Sequence, residues 1–432
     1  MIFKNILNFI IKKIRQISGK NMLNHRIFLE IYGYIRNKKL EYRKIIWLDE
    51  IKENKILIKE KEKIISFPPL IFGESEKILE EEVPDTFIYK LENVYSTVSS
   101  SSFYNSKYIF IERMQNIPKN IGNYSIGHLI KHNEKKSSIE IFTKKINIKS
   151  PALFLGGNGS FNYFHWIIEI LPKLLIIDKK LIEKLNIKTI ILNKKALEIK
   201  SFSDSLKIIL EYKNINFETI YIDEDKEIFF EKVIYITSCN SVLYNSNIQK
   251  KDTIYFQKTY FSKDIIYDFK NIIFNSNEFK KFLLDIRNKN KFPKKIFLIR
   301  GKVSNYNKRD YNEDEIFNCF KEYNFKKICI DDYSFLEQVY LFNNANFIAG
   351  PSGAVWTNII FSKNDTQAIS WLPKRVLNFS GFSNLSKLFY VNLYFLEAKS
   401  LDNNLHGKYN IEKNKIKELL FNLHLKDGVK DE

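Results

Sequence analysis

Short apolar segments alternate with amphipathic segments between residues 151 and 372, and this alternation restricts the fold more than any other feature of the chain. The apolar segments that we predict as strands are 152–155, 189–192, 219–222, 232–237, 295–300, 327–330, 346–349 and 366–372. The segments between them, such as 162–175, 313–323 and 335–344, have the period of amphipathic helices. Strands and helices that alternate through short connections form parallel sheets with helices on their faces. We therefore predict an α/β fold.

The length of 432 residues is sufficient for two domains, and the pattern changes along the chain support four segments. The predicted divisions are a basic N-terminal extension of helical and β character at 1–60, a β region with a first α/β unit at 61–265, a second α/β unit at 266–400, and a C-terminal segment at 401–432 with a helix at 410–425. Within the first α/β division, residues 86–113 read as short strands around a loop formed by the serine run 99–102. We expect a small antiparallel region there.

The formal net charge of +19 has two explanations. A nucleic-acid partner is one of them. The other is a general skew of the composition toward Ile, Lys, Asn, Phe and Tyr, which supplies lysine without any selected partner. The lysines are scattered, and no zinc-finger spacing or RNA-recognition motif is visible. We therefore favour the compositional explanation and predict no nucleic-acid partner.

The three cysteines, Cys239, Cys319 and Cys329, have no CxxC spacing. Their odd number and their spacing argue against a disulfide framework or a structural zinc site. This cysteine usage fits a reducing, cytoplasmic compartment. No uninterrupted apolar run reaches about 18 residues, so we predict no membrane span.

Residues 1–20 have apolar positions at helical spacing, basic residues between them and no acidic residue. An amphipathic helix of this kind binds an anionic cytoplasmic membrane surface. The same apolar face is equally suited to packing on the protein itself. Both readings stay open, so the predicted location is the cytoplasm, with a possible position at the inner face of the membrane.

The first candidate site lies in the segment 156–166, where glycines end a predicted strand. Asn162 is suited to cap the next helix, and His165 falls in its first turn. A helix N-terminus favours the neutral imidazole that a general base requires. Glu169 follows four residues later and shares the helix face. The alternative is that His165 only forms a hydrogen bond that holds the turn.

The second candidate site lies in the segment 346–358, which reads as a strand that runs through two glycines into a helix. Such a junction directs backbone N–H groups and the positive end of a helix dipole outward, and it suits a phosphate. Arg300 and Arg309 lie upstream, where the edge of a doubly wound sheet can bring them close. Their planar donors match phosphate oxygens, although Arg309 is equally well explained as a surface charge.

Two segments fit the capping box of a helix start. Asn312 with Glu315 is one, and Ser334 with Glu337 is the other. Glu337 therefore has a structural role available before any catalytic role, whereas Gln338 does not.

Four motifs in this order, between residues 162 and 358, resemble those of glycosyltransferase family 61, which includes bacterial capsular polysaccharide biosynthesis proteins. The first motif comprises Asn162, Tyr163, His165, Trp166, Glu169, Leu171 and Pro172. The second comprises Arg300, Arg309, Asn312 and Glu313, and the third comprises Ser334, Phe335, Glu337 and Gln338. The fourth comprises Gly350, Pro351, Gly353, Ala354 and Asn358. The resemblance covers neither the first 60 residues nor the C-terminal tail.

The resemblance implies a pair of Rossmann-type domains of the GT-B kind, with the active site in the cleft between them. It implies an inverting transferase that uses a nucleotide sugar, which we expect to be UDP-linked, and needs neither metal nor cofactor. The implied acceptor is a glycan or a lipid-linked glycan in the synthesis of capsular or other surface polysaccharide.

The site residues that the resemblance implies fall into two groups. The implied catalytic residues are His165 and Glu169, and the implied donor-binding residues are Arg300, Arg309, Asn312, Glu313, Glu337, Gln338, Ser352, Gly353, Ala354 and Asn358. One position departs from the family pattern, because Ser352 stands where the family has histidine. A non-catalytic glycan-binding or assembly protein is therefore the alternative.

Overall fold

The computed structural model describes residues 33–34, 37–112, 127–132, 135–242, 259–286, 292–301, 309–373, 379–402 and 407–427. The proposed amphipathic helix of residues 1–20 lies outside these residues. The described chain forms two compact units, which exchange segments along the sequence. Unit 1 contains the described residues up to Glu62 together with Pro84–Ile199 and Ile215–Cys239, and unit 2 contains Lys63–Val83, Lys200–Asn214 and the described residues from Asn240 onward. The mixed α/β class is confirmed.

Unit 1 is built on one 12-stranded mixed sheet. Its strands are β1 (Lys39–Trp47), β2 (Lys55–Lys59), β5 (Thr86–Ser96), β6 (Ser102–Tyr104), β7 (Tyr108–Ile111), β8 (Leu129–His132), β9 (Lys136–Ile141), β10 (Lys145–Ile148), β11 (Ala152–Phe154), β12 (Thr189–Asn193), β13 (Glu218–Ile222) and β14 (Glu227–Ile236). The expected antiparallel region at 86–113 is confirmed by the pairing of β5 with β6 and of β6 with β7. Its strand β5 pairs antiparallel with β14, so it continues the same sheet. The sequence pattern within one strand does not reveal which distant strand it pairs with.

Four strands of unit 1 are parallel and lie in the order β13, β12, β11, β14. In chain order this is third, second, first, fourth, which is the beginning of the Rossmann arrangement. The direction of the connections reverses between β11 and β14. The glycine segment 156–159 begins two residues after β11, at this reversal.

Unit 2 contains a six-stranded sheet and two small two-stranded sheets. The strands of unit 2 are β3 (Glu62–Ser66), β4 (Leu79–Val83), β15 (Asn240–Val242), β16 (Thr259–Phe261), β17 (Lys295–Ile299), β18 (Lys326–Cys329), β19 (Phe347–Pro351), β20 (Gln367–Pro373), β21 (Asn392–Ser400) and β22 (Tyr409–Asn410). The large sheet has the order β18, β17, β19, β20, β21, β22, and only β22 is antiparallel. Its first five strands therefore follow the order 2-1-3-4-5 of flavodoxin-like folds.

Eleven α-helices occur in the described part of the chain. They are α1 (Tyr163–His165), α2 (Lys173–Ile176), α3 (Lys179–Leu185), α4 (Lys195–Glu198), α5 (Lys200–Tyr212), α6 (Lys263–Asn275), α7 (Asn277–Asp285), α8 (Glu313–Lys321), α9 (Phe335–Asn344), α10 (Gly381–Leu388) and α11 (Lys413–Asp427). A π-helix spans Trp166–Ile170, and the longest 3₁₀ helix spans Ala354–Phe361. None of the helices in these residues is long and apolar enough to cross a membrane.

The core of unit 2 lies on both faces of its sheet, because the parallel strands are almost continuously apolar. On one face, alternate residues of β17, β19, β20 and β21 pack against α8 and α11. Aromatic rings fill this layer, and the Phe297 centroid lies 5.2 Å from that of Phe320 and 5.7 Å from that of Trp371. On the other face, α9 and α10 pack against the 3₁₀ helix 354–361. The two layers hold the ends of β17 and β19 rigidly.

The two glycines at the end of β19 have different roles, and this difference gives a stability test. A Cβ at Gly350 would lie 2.6 Å from Leu298 Cβ and 3.0 Å from the Leu298 carbonyl oxygen, both on β17. Among the residues that the structure describes, a Cβ at Gly353 would have nothing within 4 Å. We expect Gly350→Ala to destabilise unit 2 by about 1–3 kcal/mol through overpacking. Gly353→Ala is the matched control and should unfold like the parent chain in urea. Equal stability of the two variants would contradict the close strand packing.

Candidate functional site

Unit 2 has a topological switch point between β17 and β19. The chain leaves β17 toward β18 and later returns to β19 on the other side, so a crevice forms outside the carboxyl ends of β17 and β19. Arg300 follows β17, and Ser352 follows β19. The Arg300 Nη2 donates a hydrogen bond of 2.8 Å to the carbonyl oxygen of Ser352. Two residues predicted from separate motifs therefore meet at the ligand-binding edge of the sheet.

Gly353 leaves space beside this pair. Its φ of 176° is ordinary extended backbone, so glycine is not needed here for conformation. The missing side chain instead leaves the backbone approachable, since no atom of the described part of the chain lies within 4 Å of a Cβ placed there. The following helix is 3₁₀ rather than the predicted α-helix, and its first N–H groups still have no partner within the helix. Backbone donors and space for an anion thus coincide.

Arg300 and Arg309 share a neighbourhood around Tyr409. Burial raises the pKa of Tyr409 to about 12, and the positive charges of the two arginines act in the opposite direction. The Tyr409 ring stacks on Tyr311 with centroids 5.4 Å apart. Both arginines are therefore close enough to Tyr409 to act on its hydroxyl electrostatically. A donor-binding role for Arg309 stays a prediction.

Asn312 and Glu313 are engaged in contacts within the protein. Asn312 occupies the N-cap position of α8, but its side chain forms no cap hydrogen bond, so the predicted capping box of Asn312 and Glu315 is wrong. Its amide instead accepts from the backbone N–H of Ile411 at 2.9 Å and donates to the Ile411 carbonyl at 3.0 Å. Glu313 forms an ion pair of 3.2 Å with Lys327. A donor-binding role for Asn312 and Glu313 stays a prediction.

Glu337, Gln338 and Asn358 also make internal contacts. The capping box of Ser334 and Glu337 at the start of α9 is confirmed. Asn358 Nδ2 donates to Gln338 Oε1 at 3.3 Å, and both residues are buried. They connect α9 to the 3₁₀ helix that starts beside Gly353. Direct donor contacts by these three residues stay a prediction.

The other predicted constellation lies in unit 1, after β11. Asn162 caps α1 by accepting a hydrogen bond of 2.9 Å from the N–H of Phe164, as expected. His165 Nδ1 lies 2.6 Å from Glu169 Oε2, so the predicted pair is formed. A carboxylate can only accept, so this bond places the imidazole proton on Nδ1 and leaves Nε2 as the acceptor. Only 2% of His165 is exposed.

The single helix predicted over 162–175 is broken into α1, a π-helix and α2. Leu171 N–H bonds to the Trp166 carbonyl, five residues earlier, at 2.9 Å. Such π-turns occur frequently at functional sites. The extra residue in the turn lies between His165 and Pro172, and amphipathic periodicity alone cannot reveal it.

The loop 156–160 closes tightly around His165. Gly159 has a φ of +80°, and a Cβ there would lie 2.4 Å from His165 Cδ2. The loop is held by the serine run, because the Ser101 hydroxyl accepts from the Asn158 N–H at 3.0 Å. Sequence reasoning noted both segments but did not connect them. The available signal for this contact was the position of Gly159 shortly before His165 in the sequence.

A buried charged group lies beyond Glu169 in unit 1, and the sequence reading missed it. Lys173 is 3% exposed, and its ammonium lies 4.9 Å from the centroid of the Tyr235 ring. Glu112 and Glu169 are its acidic neighbours, while burial lowers the pKa of Lys173. Glu112 accepts hydrogen bonds from the Tyr235 hydroxyl at 2.8 Å and the Ser238 N–H at 2.7 Å. The available signal was the four-residue spacing of His165, Glu169 and Lys173.

The two units thus define an α/β protein in which Arg300 bonds to the Ser352 backbone in unit 2 and His165 pairs with Glu169 in unit 1. Comparison with protein families gives one match, which is to the family described as glycosyltransferase 61, over residues 163–369. A search of curated proteins found no match. The match supports the classification of this chain as a glycosyltransferase.

The contact between Gly159 and His165 generates a test of the histidine's position. We expect Gly159→Ala to displace the imidazole, since the new Cβ would overlap Cδ2. A displacement of about 1 Å at a catalytic group reduces turnover on the order of 100-fold. The measurement is release of nucleoside diphosphate from a nucleotide sugar.

Gly73→Ala is the matched control for this variant. Gly73 has a similar φ of +86° but nothing within 4 Å of a Cβ, so it carries the backbone strain without the clash. It should keep the parent rate. Parent-like turnover by Gly159→Ala would show that the position of His165 does not matter.

Proposed function

We propose that this protein is an inverting, metal-independent glycosyltransferase that moves a sugar from a nucleotide-sugar donor, UDP-linked, to a glycan or lipid-linked glycan acceptor. We place its product among capsular or other cell-surface polysaccharides. The observation that carries the proposal is the hydrogen bond between Arg300 and the Ser352 carbonyl at the switch point, beside the open backbone of Gly353. The glycosyltransferase 61 match over these strands supports the same function.

The donor diphosphate binds, in this proposal, at the carboxyl ends of β17 and β19. Arg300 and Arg309 supply positive charge, and the backbone N–H groups at the start of the 3₁₀ helix supply further donors. Preorganised donors of this kind stabilise the negative charge that develops on a leaving diphosphate. They therefore do the work that a bound metal does in other transferases.

His165 acts as the general base in a single displacement. The acceptor hydroxyl oxygen attacks C1 of the donor sugar, the bond from C1 to the diphosphate oxygen breaks, and the hydroxyl proton passes to His165 Nε2. Glu169 holds the Nδ1–H and stabilises the imidazolium that forms. Attack from the face opposite the leaving group inverts the configuration at C1.

The fold and the location belong to the same proposal. The strand orders of both units, 3-2-1-4 and 2-1-3-4-5, support a pair of Rossmann-type domains of the GT-B kind. The basic, apolar composition of residues 1–20 supports a cytoplasmic protein at the inner face of a membrane, where lipid-linked acceptors are available.

A non-catalytic glycan-binding or assembly protein is the second candidate. Ser352 favours it, because a serine carries no charge where the family has histidine, and it contacts Arg300 through its backbone carbonyl. The burial of His165 also fits a purely structural histidine. Nucleotide-sugar binding by calorimetry, followed by a hydrolysis or transfer assay, separates the two candidates.

Replacement of His165 tests the base assignment. We expect His165→Ala to reduce turnover by about 100- to 10,000-fold, because general-base assistance is lost. Nucleoside diphosphate affinity, measured by calorimetry, should stay unchanged. Glu169→Gln keeps a hydrogen-bond acceptor but loses the charge, and it should be intermediate. Full activity of His165→Ala would rule out the base assignment.

Replacement of Arg300 tests the phosphate site. We expect Arg300→Met to weaken nucleoside diphosphate binding roughly 10- to 100-fold, since a charge-assisted hydrogen bond contributes about 1.5–3 kcal/mol. Arg43→Met in unit 1 is the matched control, because Arg43 also bonds to a backbone carbonyl, that of Asn105, at 2.8 Å. It removes the same charge away from the switch point. Equal losses in the two variants would reduce the effect to net charge.

A further inference from the structure

Asp331 lies at the carboxyl edge of the unit 2 sheet, on the other side of β17 from Ser352. Strand β18 ends at Cys329, and Asp331 falls in the short 3₁₀ turn Ile330–Asp332 that follows. Strands lie about 4.8 Å apart, so the ends of β19, β17 and β18 form a row about 10 Å long. Ser352, Arg300 and Asp331 stand along this row in that order.

Because Gly301 has no side chain, the Asp331 carboxylate can lie next to the end of β17. A Cβ at residue 301 would lie only 1.8 Å from Asp331 Oδ2. Any larger residue at position 301 would therefore displace the carboxylate. The residue remains exposed to solvent, so its oxygens are accessible to a ligand.

Buried amides fix the turn of Asp331 relative to the phosphate site. Gln338 Nε2 donates to the carbonyl of Tyr333 at 3.0 Å and to that of Ile330 at 3.4 Å. Gln338 Oε1 in turn accepts from Asn358, which belongs to the 3₁₀ helix starting beside Gly353. The turn and the phosphate site are thus connected through two buried side chains.

We propose that the Asp331 carboxylate accepts hydrogen bonds from the ribose hydroxyls of the nucleoside diphosphate part of the donor. This inference rests on the proposed function, because the diphosphate must lie between β17 and β19. In a nucleotide bound along this row, the ribose then lies beyond Arg300, near the end of β18. In doubly wound folds an acidic residue after the second strand binds ribose in the same way, and β18 is the second strand here.

The electrostatic surroundings support this role. Burial against neighbouring atoms and the charge of Asp332 raise the pKa of Asp331, so the carboxylate gains from hydroxyl donors. Within the residues that the structure describes, no lysine or arginine forms an ion pair with it. Glu313 and Glu337, two acidic residues that the family resemblance implies as donor-binding, contact Lys327 and the start of α9.

Calorimetry with UDP, GDP, ADP and CDP, each beside its 2′-deoxy form, tests the proposal on the full chain. The parent chain should bind the best ribonucleotide roughly 10- to 100-fold more tightly than its 2′-deoxy form, as expected for a lost hydrogen bond to a charged group. Asp331→Ala should reduce ribonucleotide affinity to about the 2′-deoxy level and abolish the preference.

Two further variants sharpen the test. Gly301→Ala keeps the carboxylate but displaces it, so it should lose the ribose preference like Asp331→Ala. Asp332→Ala removes the same charge from the same exposed turn and should keep the preference. Thermal unfolding of each variant checks that the fold is intact.

The outcomes separate this inference from the proposed function. A parent chain that binds none of the four nucleoside diphosphates would overturn both. A parent chain that binds them, with a ribose preference that survives in Asp331→Ala, would overturn the assignment of Asp331 alone. Loss of the preference in Asp332→Ala but not in Asp331→Ala would also overturn it.

Discussion

The hydrogen bond from Arg300 to the carbonyl of Ser352 joins the ends of two neighbouring parallel strands, and the proposed donor site depends on it. The bond uses one nitrogen of the guanidinium group and holds this group at the strand ends. Gly350 allows the close packing of β19 on β17, and Gly353 leaves the backbone after β19 approachable. Gly350 therefore allows the position of β19, and Gly353 provides access to the backbone that follows it.

His165 of unit 1 also lies beyond the end of a parallel strand. This strand, β11, is the first of the four parallel strands of unit 1, and the strand order reverses beside it. Gly159, which has a positive φ, packs against the imidazole ring. Glu169 fixes the proton on Nδ1, and the buried Lys173, whose pKa is lowered by burial, lies beyond it. A short polar chain of this kind fixes the tautomer of the histidine, which either a base or a structural residue requires. The proposed function uses the first possibility.

Local pattern predicted the parallel strands and most helices of unit 2 because each depends on residues within one segment. The capping box of Ser334 and Glu337 and the pairing of His165 with Glu169 follow from spacing in the same way. The failures involve contacts distant in sequence. Asn312 bonds to the backbone of Ile411 rather than capping α8.

Other features that the sequence did not reveal have the same origin. The strands at 86–113 joined the large sheet of unit 1 through β14, and no local pattern encodes that pairing. The π-turn after His165 inserts one residue into a helical period, and tertiary packing decides where it falls. The meeting of Gly301 with Asp331 depends on the pairing of β17 with β18, so the acidic residue that we assign to ribose had no signal in its own segment.

The central claim is that the edge between β17 and β19 holds a donor diphosphate. A crystal structure of the full chain soaked with UDP tests it most directly. The account predicts density for the two phosphates beside Gly353, with oxygens in hydrogen-bond contact with the Arg300 guanidinium. Bound UDP whose phosphates lie elsewhere on the protein, with the Gly353 backbone uncovered, would contradict it.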